Sequence, residues 1–148
     1  MRRKIPAMAM AALLASSPSR AFDATGADII GLHLGMPEAE VVASLAHQGY
    51  EMTRTPDSIA AKTMDGRVLV TWSAERGVTR IHYSLWGRTS APAKIQEAIL
   101  DRFGNPDQAK PMTWCRAIGQ DGLCPTDQAS LTFLPESLTL LLTAGRQP

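Results

Sequence analysis

Residues 31–50, GLHLGMPEAEVVASLAHQGY, constrain the fold more than any other stretch of this chain. A short apolar strand or extended lead-in at 29–34 reaches the turn Gly35-Met36-Pro37, and the apolar spacing then becomes helical. Val41, Val42 and Leu45 fall at i, i+1 and i+4, the stripe of a helix with one buried face. Pro37 suits a first helical turn, where its missing N–H costs nothing. Glu38 and Glu40 put negative charge at the positive end of the helix dipole. Gly49 is the left-handed residue that closes such a helix. A helix with one apolar stripe must cover something, and the residues after it predict a sheet.

Residues 53–58 (TRTPDS) read as a turn and 59–64 as a weak strand, followed by the hairpin signal Asp65-Gly66. In 67–73, Val68, Val70 and Trp72 share a face. In 78–86, Thr79, Ile81, Tyr83 and Leu85 alternate with Arg80, His82, Ser84 and Trp86. A connector at 87–92 offers Ser90 as an N-cap, with Pro92 in the first turn. The second helix, 93–103, places Ile95, Ala98, Ile99 and Phe103 together and stops at Gly104-Asn105-Pro106. Strands are expected at 112–118, 129–134 and 137–143. In the last, Leu138, Leu140 and Leu142 face one way and Leu141 the other. The fold class is α+β: two helix-plus-antiparallel-meander units, α-β-β-β repeated, at 22–88 and 89–148, packed as one domain. The pattern allows one continuous sheet or two.

The beginning of the chain reads as a secretory signal peptide over residues 1–21. Arg2, Arg3 and Lys4 are basic, residues 7–15 (AMAMAALLA) are apolar but too few to span a bilayer, and Ser19-Arg20-Ala21 offers a small-residue cleavage site. The Arg2-Arg3 pair is followed by residues that fit twin-arginine export poorly. No cysteine adjoins the cleavage site, so no lipid anchor is expected, and no later run has 18 apolar residues, so neither is a transmembrane segment. Without Arg2, Arg3, Lys4 and Arg20, the 15 basic residues become 11 against 14 acidic ones, a net charge of −3. That balance argues against nucleic acid as a partner.

Cysteine use agrees with a periplasmic location. Cys115 and Cys124 are separated by eight residues that include Gly119 and Gly122, so the chain can turn back and close a disulfide hairpin. A metal pair and a redox pair are the competing readings. The spacing is wider than CxxC, and no histidine lies nearby.

Gly35-Met36-Pro37-Glu38-Ala39-Glu40-Val41, with Leu45 after it, resembles the G-M-(T/S)-x-x-E-V-x-x-x-L helix start of the SmpA/OmlA envelope proteins. Phe103-Gly104-Asn105-Pro106 is similar to the F-G-x-P that closes such helices. The duplicated plan is similar to the β-lactamase-inhibitor-protein-like fold. These resemblances imply an exported, non-enzymatic binding module. SmpA/OmlA proteins are usually lipoproteins, and this chain departs from them in lacking the acylated cysteine.

The three histidines, His33, His47 and His82, form no HxH, HxxxH or HExxH arrangement, so no metal or other cofactor is expected. There is no GxSxG motif and no P-loop lysine, and Asp57, Asp65, Asp121 and Asp127 sit in predicted turns where aspartate serves the backbone. The expectation is therefore no enzyme, and no catalytic residue is assigned. Aromatic and arginine residues mark protein interfaces instead. Arg80, His82 and Trp86 share a strand face, and Trp114 and Arg116 flank Cys115; these five are the candidate protein-binding residues, with an envelope or exported protein as partner, the other readings being that Trp86 covers the core edge at its strand end and that Trp114 packs on the disulfide. A small-ligand or metal carrier using His33 or His82 is the alternative, and a small hydrolase the third reading.

Overall fold

The structure, a computed structural model, describes residues 22–86 and 91–147. The signal peptide expected at 1–21 and the Ser90 cap lie outside the described residues. The chain runs α1 (Glu38–His47), β1 (Glu51–Arg54), β2 (Ser58–Lys62), β3 (Gly66–Ser73), β4 (Gly77–Leu85), α2 (Pro92–Phe103), β5 (Met112–Cys115), β6 (Ser130–Leu134) and β7 (Thr139–Thr143). The fold is α+β. All seven strands join one antiparallel sheet in the order β1-β2-β3-β4-β7-β6-β5. Four strands follow α1 and three follow α2, so the expected α-β-β-β repeat is not reproduced strand for strand; the two sets meet where β4 pairs with β7, from Arg80 opposite Thr143 to Ser84 opposite Thr139. No helix among the described residues is long and apolar enough to cross a membrane.

The helix at 38–47 forms and stops as its sequence dictates. Val41 and Leu45 are buried, each worth about 1.5–3 kcal/mol relative to exposure. At its end Gly49 N–H donates to Ala46 O at 3.0 Å and Tyr50 N–H to Leu45 O at 3.2 Å, the paired bonds of a Schellman closure. Gly49 takes φ +75° to allow them. The second helix begins at Pro92 with Ala91 as its N-cap and no side-chain cap bond. Ile99 is buried, but Ala98 is exposed; the half-buried Leu100 takes its place beside Ile95 and Phe103.

Several strand expectations differ from the structure: the strand expected at 112–118 stops at Cys115, and the one expected at 137–143 starts at Thr139, leaving Leu138 in a turn at positive φ. Residues 29–34 form no strand. Ile29 and Leu32 exchange backbone hydrogen bonds of 2.9 and 3.0 Å around Ile30 and Gly31, both at positive φ. β1 occupies residues expected to be partly turn; every residue in it is exposed, so it has no apolar alternation to read. A bulge opposite Thr71 and Trp72 inserts one residue into β4, so Val78 rather than Thr79 joins the core.

Below that bulge the face parity is regular. Ile59, Ala61, Val68, Val70, Ile81, Tyr83, Leu131, Phe133, Leu140 and Leu142 form a buried face, joined in one core by Val41, Leu45 and Ile99 from the helices. The lead-in seals this layer. Gly35 N–H donates to Val78 O (2.8 Å) and Val78 N–H to Met36 O (3.0 Å). Arg102 of α2 donates to Asp28 O at 2.7 Å, and Gln48 after α1 to Ile30 O at 2.9 Å. Phe22 meets Phe103 edge to face and Phe103 meets Trp114 at a tilt, with centroids 6.2 and 6.1 Å apart.

The two sheet edges are finished differently. Thr113, in β5, exchanges backbone bonds of 2.9 and 3.0 Å with Gln108, and Cys115 N–H donates to Asp107 Oδ2 at 2.9 Å. At β1, Thr55 N–H bonds inward to Ser58 O, so by antiparallel alternation Met52 and Arg54 aim their backbone groups outward. Among the described residues nothing pairs with that outer edge.

Candidate functional site on the uncovered sheet face

Strand alternation places a second set of side chains on the face opposite the core, and neither helix covers it. Three rows cross it. One runs Thr53, Ala60, Leu69, His82, Leu141, Thr132, Thr113; a second Ser58, Thr71, Arg80, Thr143, Ser130, Cys115; a third Glu51, Lys62, Arg67, Ser84, Thr139, Leu134. Hydroxyls dominate and bond across strands: Thr113 to Thr132 and Ser130 to Thr143, both at 3.2 Å. Such pairs stabilise a sheet without needing a covering layer. Leu69, 39% exposed, and the half-buried Leu141 flank His82 and give the face an apolar centre.

Charge is uneven here. The strands bring Lys62, Arg67 and Arg80 to this face against one carboxylate, Glu51. At one margin Lys62 Nζ lies 5.7 Å from the Trp86 ring centroid, in a cation–π contact, beside Arg67. At the other, a groove of about 610 Å³ opens between the strands and two flanking segments. Its floor includes Thr71, Arg80, Ser130, Thr132 and Thr143, and its walls come from Cys124–Pro125–Thr126 and from Gly145 and Arg146.

Those walls are held by named bonds. The Cys115–Cys124 disulfide is formed, with Cα atoms 5.9 Å apart, so the metal reading of this pair gives way to a crosslink. Cys124 N–H donates to Gln108 Oε1 at 2.9 Å, and Arg146 N–H to Thr126 O at 2.9 Å. Arg76 Nη2 reaches Ala144 O at 3.4 Å.

The five candidate residues from the sequence separate. Arg80, His82 and Trp86 lie on the uncovered face: Arg80 and Trp86 are exposed and His82 is half-buried. Trp114 does not belong to an accessible surface. It is 1% exposed on the core side, and its indole N–H donates to Gly104 O at 3.0 Å, closing the end of α2. Arg116 is exposed but belongs to a separate hollow with Phe22, Asp23 and Gln128. There the Thr25 hydroxyl, then its backbone N–H, holds Asp23 below the usual carboxylate range, with a smaller contribution from Arg116. Arg146, Leu69 and the hydroxyl rows, not among the sequence candidates, lie on or beside the same face. Arg146 gains its place from a tertiary bond to Thr126, and no local pattern signals that.

His33 Nδ1 lies 3.0 Å from Leu34 O, and His47 is exposed in the last turn of α1. Among the described residues no three His, Cys, Asp or Glu side chains are grouped to hold a metal ion. No family model matches this chain, and no curated protein or solved structure matches it either.

Proposed function

We propose that this protein is a non-enzymatic binding module of the bacterial envelope, exported to the periplasm, which docks another envelope or exported protein on the uncovered sheet face. One observation carries the reading. The sheet buries one face under two helices and leaves the other open over its middle strands, Thr113, Cys115 and Thr139 being buried, with an apolar centre at Leu69 and Leu141 and basic and aromatic residues around it. Apolar anchors within a polar rim are the composition of a protein interface. The disulfide suits an oxidising compartment and agrees with the export signal expected at residues 1–21. The resemblance to SmpA/OmlA and β-lactamase-inhibitor-protein-like modules points to the same role, as does the run of helix and meander in each half of the chain.

The test is capture of a stoichiometric partner by the oxidised chain from an envelope extract of its source, repeated with face variants. Leu69→Glu and Trp86→Ala are expected to release the partner, while Arg116→Ala, off this face, retains it. A partner that stays bound to Leu69→Glu and Trp86→Ala as firmly as to the parent sinks the assignment of this face.

A further inference from the structure

We propose that the groove at the disulfide end of this face takes carboxylate side chains from an acidic segment of the partner, gripped by Arg80 and Arg146. The inference rests on the protein-binding reading above and adds the chemistry of the partner. Both arginines line the groove, one from its floor in β4 and one from the wall after β7. None of the lining residues is acidic. Among the described residues the ion pairs are Arg54–Glu38 and Arg102–Asp28, both away from the groove. Two guanidinium forks therefore face a hydroxyl-lined space with no carboxylate of their own to hold.

A sheet face needs no arginine to be soluble, since hydroxyl pairs already finish it. A chain with 14 acidic residues, net −3 beyond residue 21, nevertheless gathers basic side chains here. Charge complementarity calls for an anionic occupant. Guanidinium donors match a carboxylate two at a time, and the hydroxyls of Thr71, Ser130 and Thr143 supply further hydrogen-bonding groups along the floor. A polypeptide fits better than an isolated phosphate because the same strands continue into the Leu69–His82–Leu141 strip. An acidic segment with apolar neighbours would use both. Nucleic acid is disfavoured by the net charge of the chain.

The experiment is an amide NMR titration of the full oxidised chain with a blocked deca-glutamate peptide, and in parallel with inorganic phosphate. Saturable shifts at Thr71, Ser130 and Thr143 are expected with the peptide, weakening as salt rises. Arg80→Ala and Arg146→Ala should each reduce its affinity about tenfold, the loss of one charge-assisted contact. Arg116→Ala should leave it unchanged. The amide spectrum of each variant reports its fold in the same sample. Peptide binding that survives the Arg80→Ala/Arg146→Ala double variant, or no saturable shift at all, overturns the proposal. So does phosphate saturating the same amides as tightly as the peptide, which would make the groove a small-anion site. If Leu69→Glu still releases the captured partner while deca-glutamate does not bind, the docking face stands and the acidic-segment inference alone fails.

Discussion

Gly77→Ala tests how the lead-in is fastened to the sheet, and Gly49→Ala supplies its internal reference. Both glycines have positive φ, +66° and +75°. An alanine in that region costs about 1–2 kcal/mol, partly offset by about 0.4–1 kcal/mol from the stiffer unfolded chain. At Gly49 a Cβ meets nothing within 4 Å, so the net cost there is about 1 kcal/mol. At Gly77 it would lie 2.5 Å from Gly35 O and 2.8 Å from Met36 O, both backbone atoms of the docked lead-in. Relieving that contact pushes apart the Gly35–Val78 and Val78–Met36 hydrogen bonds, each worth about 0.5–1.5 kcal/mol net. Gly77→Ala should therefore cost about 2–4 kcal/mol. In urea unfolding of the two variants and the parent, the midpoint for Gly77→Ala should fall below that for Gly49→Ala by on the order of 1 M at equal slope. Equal midpoints would refute the reasoning, because the close approach of residues 35–36 to 77 would then carry no energy.

Other outcomes follow from single contacts. Trp114→Phe should cost about 1 kcal/mol through the lost bond to Gly104 O, and Trp114→Ala about 3–5 kcal/mol, both by urea unfolding. Removing the crosslink with Cys115→Ala/Cys124→Ala should cost about 2.7 kcal/mol for a loop of this length, in calorimetry against the oxidised parent. Burial pushes the Tyr83 hydroxyl above its ordinary range, opposed by the bond to Thr63 and aided by Asp65. Above about pH 10 the unfolded chain gives up this proton while the folded chain keeps it, so stability falls as pH rises; below that it is constant. Tyr83→Phe should flatten the alkaline decline, and an unchanged decline in the variant would assign it elsewhere.

The elements legible in the sequence were those with a buried face. Val41 and Leu45, Val68 and Val70, and Leu140 and Leu142 fell where their spacing put them, because burial on one side imposes a period. β1 has no buried residue, so nothing marked it, and Pro56-Asp57 drew attention to the turn alone. The bulge inverted parity at Val78 and Thr79, which alternation cannot anticipate. Trp114 was open between a binding hairpin and packing on the disulfide, because strand pattern does not say which face meets the helices; it is buried on the core side with its indole bonded to Gly104 O, ten residues away. Half of the groove was equally hidden. Arg80 followed from alternation, whereas Arg146 and the Cys124–Thr126 wall arrive through the disulfide and the Arg146–Thr126 bond.

The unequal edges limit how copies of this chain can associate. A strand can be added only where donors and acceptors are unspent, and on the β5 side Gln108 and Asp107 occupy the Thr113 N–H and O and the Cys115 N–H. Among the described residues one edge is therefore far readier for sheet extension than the other: two copies joined through β1 would consume both templates and leave a largely occupied border at each end. Propagation into a filament would first require residues 107–108 to peel away, which sets a barrier between pairing and fibre growth.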